Sequence, residues 1–189
     1  MNCLLGIIIT FNTACQQDYS PRPVAFPRLD YPKMGYTTAD SLPYPITFEY
    51  PAFATLEFPS GTNNDQKWLN IRYERFKAML FTSYYRGSEK SILQIMLENE
   101  SVLNKQIPPY SRIRKQEYQS EDNLLEGYIY EIGGNSANPL QFILTDKHKQ
   151  LFRGALYFDY IPNRDSIKDI LDGLTGDVRH LMESFKFKQ

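Results

Sequence analysis

The chain has 189 residues, carries 21 Lys+Arg against 22 Asp+Glu for a net charge of −1, and holds only two cysteines and two histidines. That length fits one domain with a sizeable core, and the even charge balance gives no basic field for a phosphate backbone, which excludes nucleic acid as the expected partner. With no HExxH and no paired Cys/His spacing, neither a metal centre nor another cofactor is expected.

Residues 1–14 read as a lipoprotein signal peptide. Leu4 to Phe11 form an apolar run too short to span a bilayer, which needs about 20 residues, yet long enough for a signal h-region. Ala14-Cys15 then has the small residue and cysteine of a bacterial lipobox, and cleavage there would leave Cys15 as the lipid-bearing first residue, anchored in the bilayer by two or more acyl chains. Two features depart from the pattern: the n-region lacks Lys and Arg, and Asn12 replaces the usual aliphatic residue three before the cysteine. An upstream start or a poor site would account for them, and an uncleaved apolar N-terminus is the alternative. With Cys3 removed and Cys15 lipidated, the globular part would hold no thiol.

Residues 15–45 are expected to be a lipidated, Pro-rich tether and extended segment, because prolines at 21, 23, 27, 32, 43 and 45 each remove a backbone donor and disfavour helix before them. From Phe26 onward the segment carries enough Phe, Leu and Tyr to lie against the body of the protein.

Residues 46–189 read as the folded domain. Ile46 to Tyr50 and Ala54 to Phe58 are short strands, and the cluster from Pro59 to Asp65 is a turn. Lys67 to Tyr73 alternates, with Leu69, Ile71 and Tyr73 toward a core and Trp68, Asn70 and Arg72 on a wetter face. Glu74-Arg75 connects it to a strand from Phe76 to Tyr85. Ser88 is the expected N-cap of a first helix running to about Lys105. Tyr110 to Tyr118, with Arg112, Arg114 and Lys115, suits a sheet edge, where charge discourages open-ended pairing.

Leu124 to Ile132, Leu140 to Asp146 and Leu151 to Tyr160 form an antiparallel meander broken at Gly133–Ser136 and Lys147–Gln150. The last helix carries an apolar stripe through Ile167, Ile170, Leu174, Val178, Leu181 and Phe185, with Asn163 or Asp165 as its expected cap. Gly173 and Gly176 weaken it by about 1 kcal/mol each unless something approaches closely there. The expected fold is α+β, a mainly antiparallel β-sheet of about seven or eight strands packed with two helices in a single domain.

Chemistry-bearing residues are sparse. His148 falls in a hairpin turn and His180 on the last helix, both read as solvated. Gly133-Gly134-Asn135-Ser136 joins two strands and so fits neither a P-loop nor a dinucleotide fingerprint. Asp146, Asp159 and Asp165 lie near strand ends, where a carboxylate more often satisfies turn amides than works in catalysis. No catalytic residue is assigned. Arg153, amid apolar strand residues, is expected in a buried pair, at the sheet rim or against a partner.

Four segments carry a family resemblance: RLDYP from Arg28, WLNIRYERFKAMLFTSYY from Trp68, YEIGGNSANPLQFILTD from Tyr130 and LFRGALYFDYIPNRDS from Leu151. Together they resemble the GldD gliding motility lipoproteins of the Bacteroidetes, in order and over most of the mature chain. The resemblance implies a noncatalytic envelope lipoprotein anchored through Cys15, with its domain in the periplasm, docking to membrane proteins of the gliding machinery and the coupled type IX secretion system. It implies no catalytic residues and leaves inner and outer membrane equally compatible. Tyr128, Tyr130, Arg153 and Tyr157 are the candidate partner-binding residues, chosen for their polar-aromatic character in the meander. A periplasmic small-ligand or lipid-binding domain would instead need an enclosed pocket, and a hydrolase-like enzyme would need Asp146, Asp159 or His148 to converge in one cleft.

Overall fold

The computed structural model describes residues 30–32, 35–59, 66–105 and 111–188. Its centre is a seven-stranded, wholly antiparallel sheet. The strands are β4 (Thr55–Glu57), β5 (Gln66–Tyr73), β6 (Ala78–Arg86), β7 (Ile113–Gln119), β8 (Glu126–Ile132), β9 (Leu140–Thr145) and β10 (Gln150–Phe158), in the order β4-β5-β6-β10-β9-β8-β7. The expected meander is its central run. β10 lies between β9 and β6, with Arg153 opposite Ile143 on one side and Ser83 on the other. The charged strand β7 is an edge, as its Arg114, Lys115 and Glu117 suggest.

The helices lie on opposite faces. Alternation along the strands sends Leu69, Ile71, Leu80, Phe142, Leu144, Phe152 and Leu156 to one face, against α2 (Lys168–Ser184) and its Leu174, Val178 and Leu181. Ile143, Leu151, Tyr130 and Ile132 face the other way, against Ile92 and Leu103 of α1 (Glu89–Lys105). Ser88 caps α1 as expected, its Oγ accepting from the Ser91 N–H at 3.2 Å.

The stretch from Ile46 to Tyr50 is not one strand. It divides at buried Phe48 into β2 (Ile46–Thr47), which pairs with β11 (Lys186–Phe187), and β3 (Glu49–Pro51), which pairs with β1 (Tyr36–Thr38). Both two-stranded ribbons complete the α2 side, where Phe48 packs against the Phe152 and Phe185 rings at 5.8 and 6.4 Å between centroids. The β5–β6 connection is a 3-10 turn, Glu74–Phe76, ended by Lys77 in the left-handed region at φ 49°, so β6 begins two residues later than the sequence suggests. No side chain caps α2. Asn163 instead closes the preceding turn, its Oδ1 accepting from the Ser166 N–H at 3.1 Å.

Gly173 has a specific reason. The Tyr31 ring lies where a Cβ would stand, 2.4 Å from its ideal position, so the close approach comes from the N-terminal segment and not from the sheet. Gly176 meets nothing within 4 Å and marks no break, since α2 runs through it. Among the described residues no helix is long and apolar enough to cross a membrane.

Phe152, fully buried among Phe48, Phe142 and Phe185, sets the stability scale. Phe152→Ala is expected to lower unfolding free energy by about 3–5 kcal/mol in urea titrations. Leu97→Ala, at a side chain 57% exposed, is expected to change it by less than about 0.5 kcal/mol.

Candidate functional site

The two faces of the sheet are covered unequally. On the α2 side the helix and both ribbons close the core. On the other side α1 packs over β8, β9 and part of β10, leaving β5, β6 and the rest of β10 as the floor of a groove of about 730 Å³. Trp68, Phe81 and Tyr157 stand in it at 41, 46 and 37% exposure, with Val102 of α1 opposite at 49%. Phe81 and Tyr157 meet edge to face, 5.6 Å between centroids. With walls so exposed, this is an open surface groove and not the enclosed pocket that a small-ligand domain would need.

The floor is polar. Arg153 is half-buried, and its Nε donates to Ser83 Oγ at 3.2 Å. Burial works against its charge while Glu98 on α1 attracts it from a distance, without an ion pair within 4.0 Å among the described residues. Asn70 and Gln141, at 8 and 9% exposure, line the same groove. Of the three places expected for Arg153, a buried pair is not formed among the described residues and the strand is central, not at the rim; it is a cation set in an aromatic groove.

Of the four candidate partner-binding residues, the fold brings Arg153 and Tyr157 together here and places Tyr128 and Tyr130 elsewhere. Tyr130 is buried at 3% exposure beside α1, its hydroxyl donating to Glu100 Oε1 at 3.2 Å, and burial and that carboxylate both raise its pKa. Tyr128 lies next to it under Lys115, whose Nζ is 3.7 Å from the ring centroid. Lys115 also bonds Glu100 and holds that carboxyl below its usual range. These two tyrosines therefore bind the α1 side together internally. Cys15 and the leader lie outside the described residues.

Asp146 and His148 line one open cleft of about 1000 Å³ with Asp122 and Glu183, but Asp159 is not among its lining residues. Asp146 Oδ1 accepts from the N–H groups of His148, Lys149 and Gln150 at 2.8–3.0 Å. Burial tends to raise its pKa, but these donors outweigh burial and lower it. His148 is exposed beside it, whereas Asp159 follows the far end of nine-residue β10, about 30 Å away at about 3.4 Å per residue. Among the described residues no group of three or more His, Cys, Asp or Glu could hold a metal. A smaller cleft of about 280 Å³ gathers Arg114, Arg164 and Arg179. Its cations are already engaged: Arg179 with Gln116 and with Glu131 at 3.0 Å, Arg114 with Glu131 at 3.8 Å, and Arg164 with the Ile132 carbonyl at 2.9 Å.

On the α2 face lies a cluster that sequence reasoning missed. Asp177 is 5% exposed and accepts hydrogen bonds from the hydroxyls of Tyr31 and Tyr36, the latter at 3.0 Å. Tyr36 stacks on His180 at 3.7 Å, and His180 Nε2 lies 2.6 Å from Glu49 Oε2. His180 is therefore partnered and half-buried, contrary to the solvated reading, because β1 and β3 fold over α2. The signal was present in the spacing: Asp177 follows Leu174 by three and precedes Leu181 by four, which places it within the apolar stripe. The Tyr36 pKa is pushed up to about 12, first by burial and then by the Asp177 charge.

Burial also raises the Asp177 pKa, against the opposing effect of its two phenol donors and His180. The folded chain thus keeps a proton there at pH values where the unfolded chain has lost it. This contribution to stability is complete below the ordinary aspartate range and is lost as pH rises through the folded pKa. Asp177→Asn, neutral and still an acceptor, is expected to remove that loss, so that its stability does not fall with rising pH as that of the native chain does. Asp177→Ala orphans two phenols and is expected to lower stability by about 1–3 kcal/mol. Urea midpoints between pH 4 and 8 for the three chains check both.

A solution structure of cyanobacterial PsbP (CyanoP) from Synechocystis sp. PCC 6803 is similar at 12% identity and a TM-score of 0.44, over 86% of this chain and 99% of that one. No curated protein matches the sequence significantly. The family described as "Gliding motility lipoprotein GldD" matches residues 16–187, which contain the whole sheet, both helices, the groove and the Asp177 cluster. The chain belongs to the GldD family of gliding motility lipoproteins.

Proposed function

We propose that this chain is a noncatalytic accessory lipoprotein of the gliding motility and type IX secretion machinery. Lipid on Cys15 holds it at an envelope membrane, and its folded domain works in the periplasm as a docking or assembly module. The observation that carries this reading is the groove beside α1: large aromatic side chains left exposed over a polar floor, on a sheet whose other face is closed. Contiguous exposed apolar surface rimmed by polar groups is characteristic of partner sites. The family description supports the machinery. The Ala14-Cys15 junction supports the anchor, since two or more acyl chains hold a protein stably at a bilayer. The separation of Asp146 from Asp159 supports a role without chemistry at those groups.

In-cell crosslinking in a gliding Bacteroidetes host, followed by affinity purification and mass spectrometry, tests this. The native chain is expected to recover membrane proteins of the gliding or secretion machinery, and Cys15→Ala to lose them. Failure to recover any reproducible partner with the native chain would overturn the docking reading.

A further inference from the structure

The chemistry of the groove narrows the partner, and this step rests on the docking reading. Arg153 sits on β10 at the middle of the sheet, half-buried on the floor of the groove. A guanidinium has five N–H donors and stays charged; here one donor meets Ser83 and no carboxylate of the described residues is within 4.0 Å. A half-buried cation without a paired anion is unfavourable, and a carboxylate arriving from outside would meet the fork with two parallel hydrogen bonds.

Asn70 and Gln141 provide the second, independent observation. Each residue is more than nine-tenths buried and lines the groove, yet its side-chain amide still reaches solvent, since the one sealed and unsatisfied side-chain atom among the described residues is Asn138 Oδ1. Their amides therefore stand open to hydrogen-bond a main chain laid along the floor. They lie in one row across the sheet, Asn70 on β5 and Gln141 on β9, with β6 and β10 between them. At about 4.8 Å per strand that is about 14 Å, the length of about four residues of extended peptide. Trp68, Phe81, Tyr157 and Val102 supply apolar walls above this floor.

We infer that the groove binds an extended peptide segment of a partner protein, in which an Asp or Glu lies beside an aromatic or large aliphatic residue. The carboxylate pairs with Arg153, the neighbouring apolar side chain enters between Trp68, Phe81 and Tyr157, and the peptide main chain bonds the Asn70 and Gln141 amides. A single recessed cation suits one carboxylate. An anionic membrane surface is instead recognised by clusters of four or more Lys or Arg.

The test pans the full chain, purified in detergent, against a displayed library of random peptides. Native protein is expected to enrich peptides with Asp or Glu within two residues of Trp, Phe, Tyr or Leu. By fluorescence anisotropy, changing that acid to its amide should weaken binding about tenfold. Arg153→Gln should weaken the acidic peptide by a similar factor and no longer distinguish the pair, while Trp68→Ala weakens both peptides alike. The acid-to-amide comparison on native protein stands even if Arg153→Gln does not fold. Enrichment without acids, equal binding of acid and amide, no saturable binding, or Arg153-dependent sedimentation with phosphatidylglycerol-containing vesicles would each overturn the inference. Loss of the peptide result with Cys15-dependent crosslinked partners intact removes only the groove assignment; loss of both removes the docking reading as well.

Discussion

A sheet of seven strands has two faces to cover, and this chain has one long helix for each. That constraint governs the remaining architecture. On one face α2 cannot cover the sheet alone, and the chain adds β1, β2, β3 and β11 around it, building an aromatic layer from Phe48, Phe152, Phe185 and Phe187. On the other face α1 receives no such help from the described residues, which leave β5, β6 and half of β10 open, with Trp68, Phe81 and Tyr157 exposed. Among the described residues the groove is thus the uncovered part of a face that carries α1 alone.

Asp177 is the counterpart of this opening on the closed side. A buried carboxylate is unfavourable unless hydrogen-bonded, and Tyr31, ahead of β1, and Tyr36, within it, supply the donors. The same two residues fill space as well: Tyr31 stacks on Phe76 and covers Gly173, and Tyr36 stacks on His180. A polar group that would otherwise weaken the core therefore fixes where the extended segment joins the body. The β1–β3 ribbon continues that attachment by pairing Tyr36 with Pro51.

What the sequence revealed followed from local pattern. Apolar runs between turn signals located the strands of the main sheet, with period-two alternation explicit in β5; helical spacing located α1 and α2, Ser88 marked a cap, and the charges of β7 marked an edge. What it concealed depended on partners distant in the chain. Nothing near Ile46 indicates that β2 pairs with the last strand, because two residues carry no periodicity. Gly173 is intelligible only once Tyr31 is placed against it, and His180 only once Glu49 is. In the candidate site, Arg153 and Tyr157 stand out in the sequence by polar-aromatic character alone, and their spacing of four on β10 puts them on one face. Tyr128 and Tyr130 share a face as well, yet nothing local says that α1 would cover them. Trp68 and Asn70 were assigned correctly to the outer face of β5, but their meeting with Arg153 required the order β5-β6-β10.

Tyr31 packs on the α2 side, whereas the groove opens on the α1 side, with the hydrogen-bonded sheet between them. Tyr31 and the groove are therefore separated by the thickness of a sheet and a helix layer, on the order of 15–20 Å. A sheet paired strand to strand resists deformation, so a load applied at the Tyr31–Asp177 contact would reach the groove through the strands and not through a loose linker.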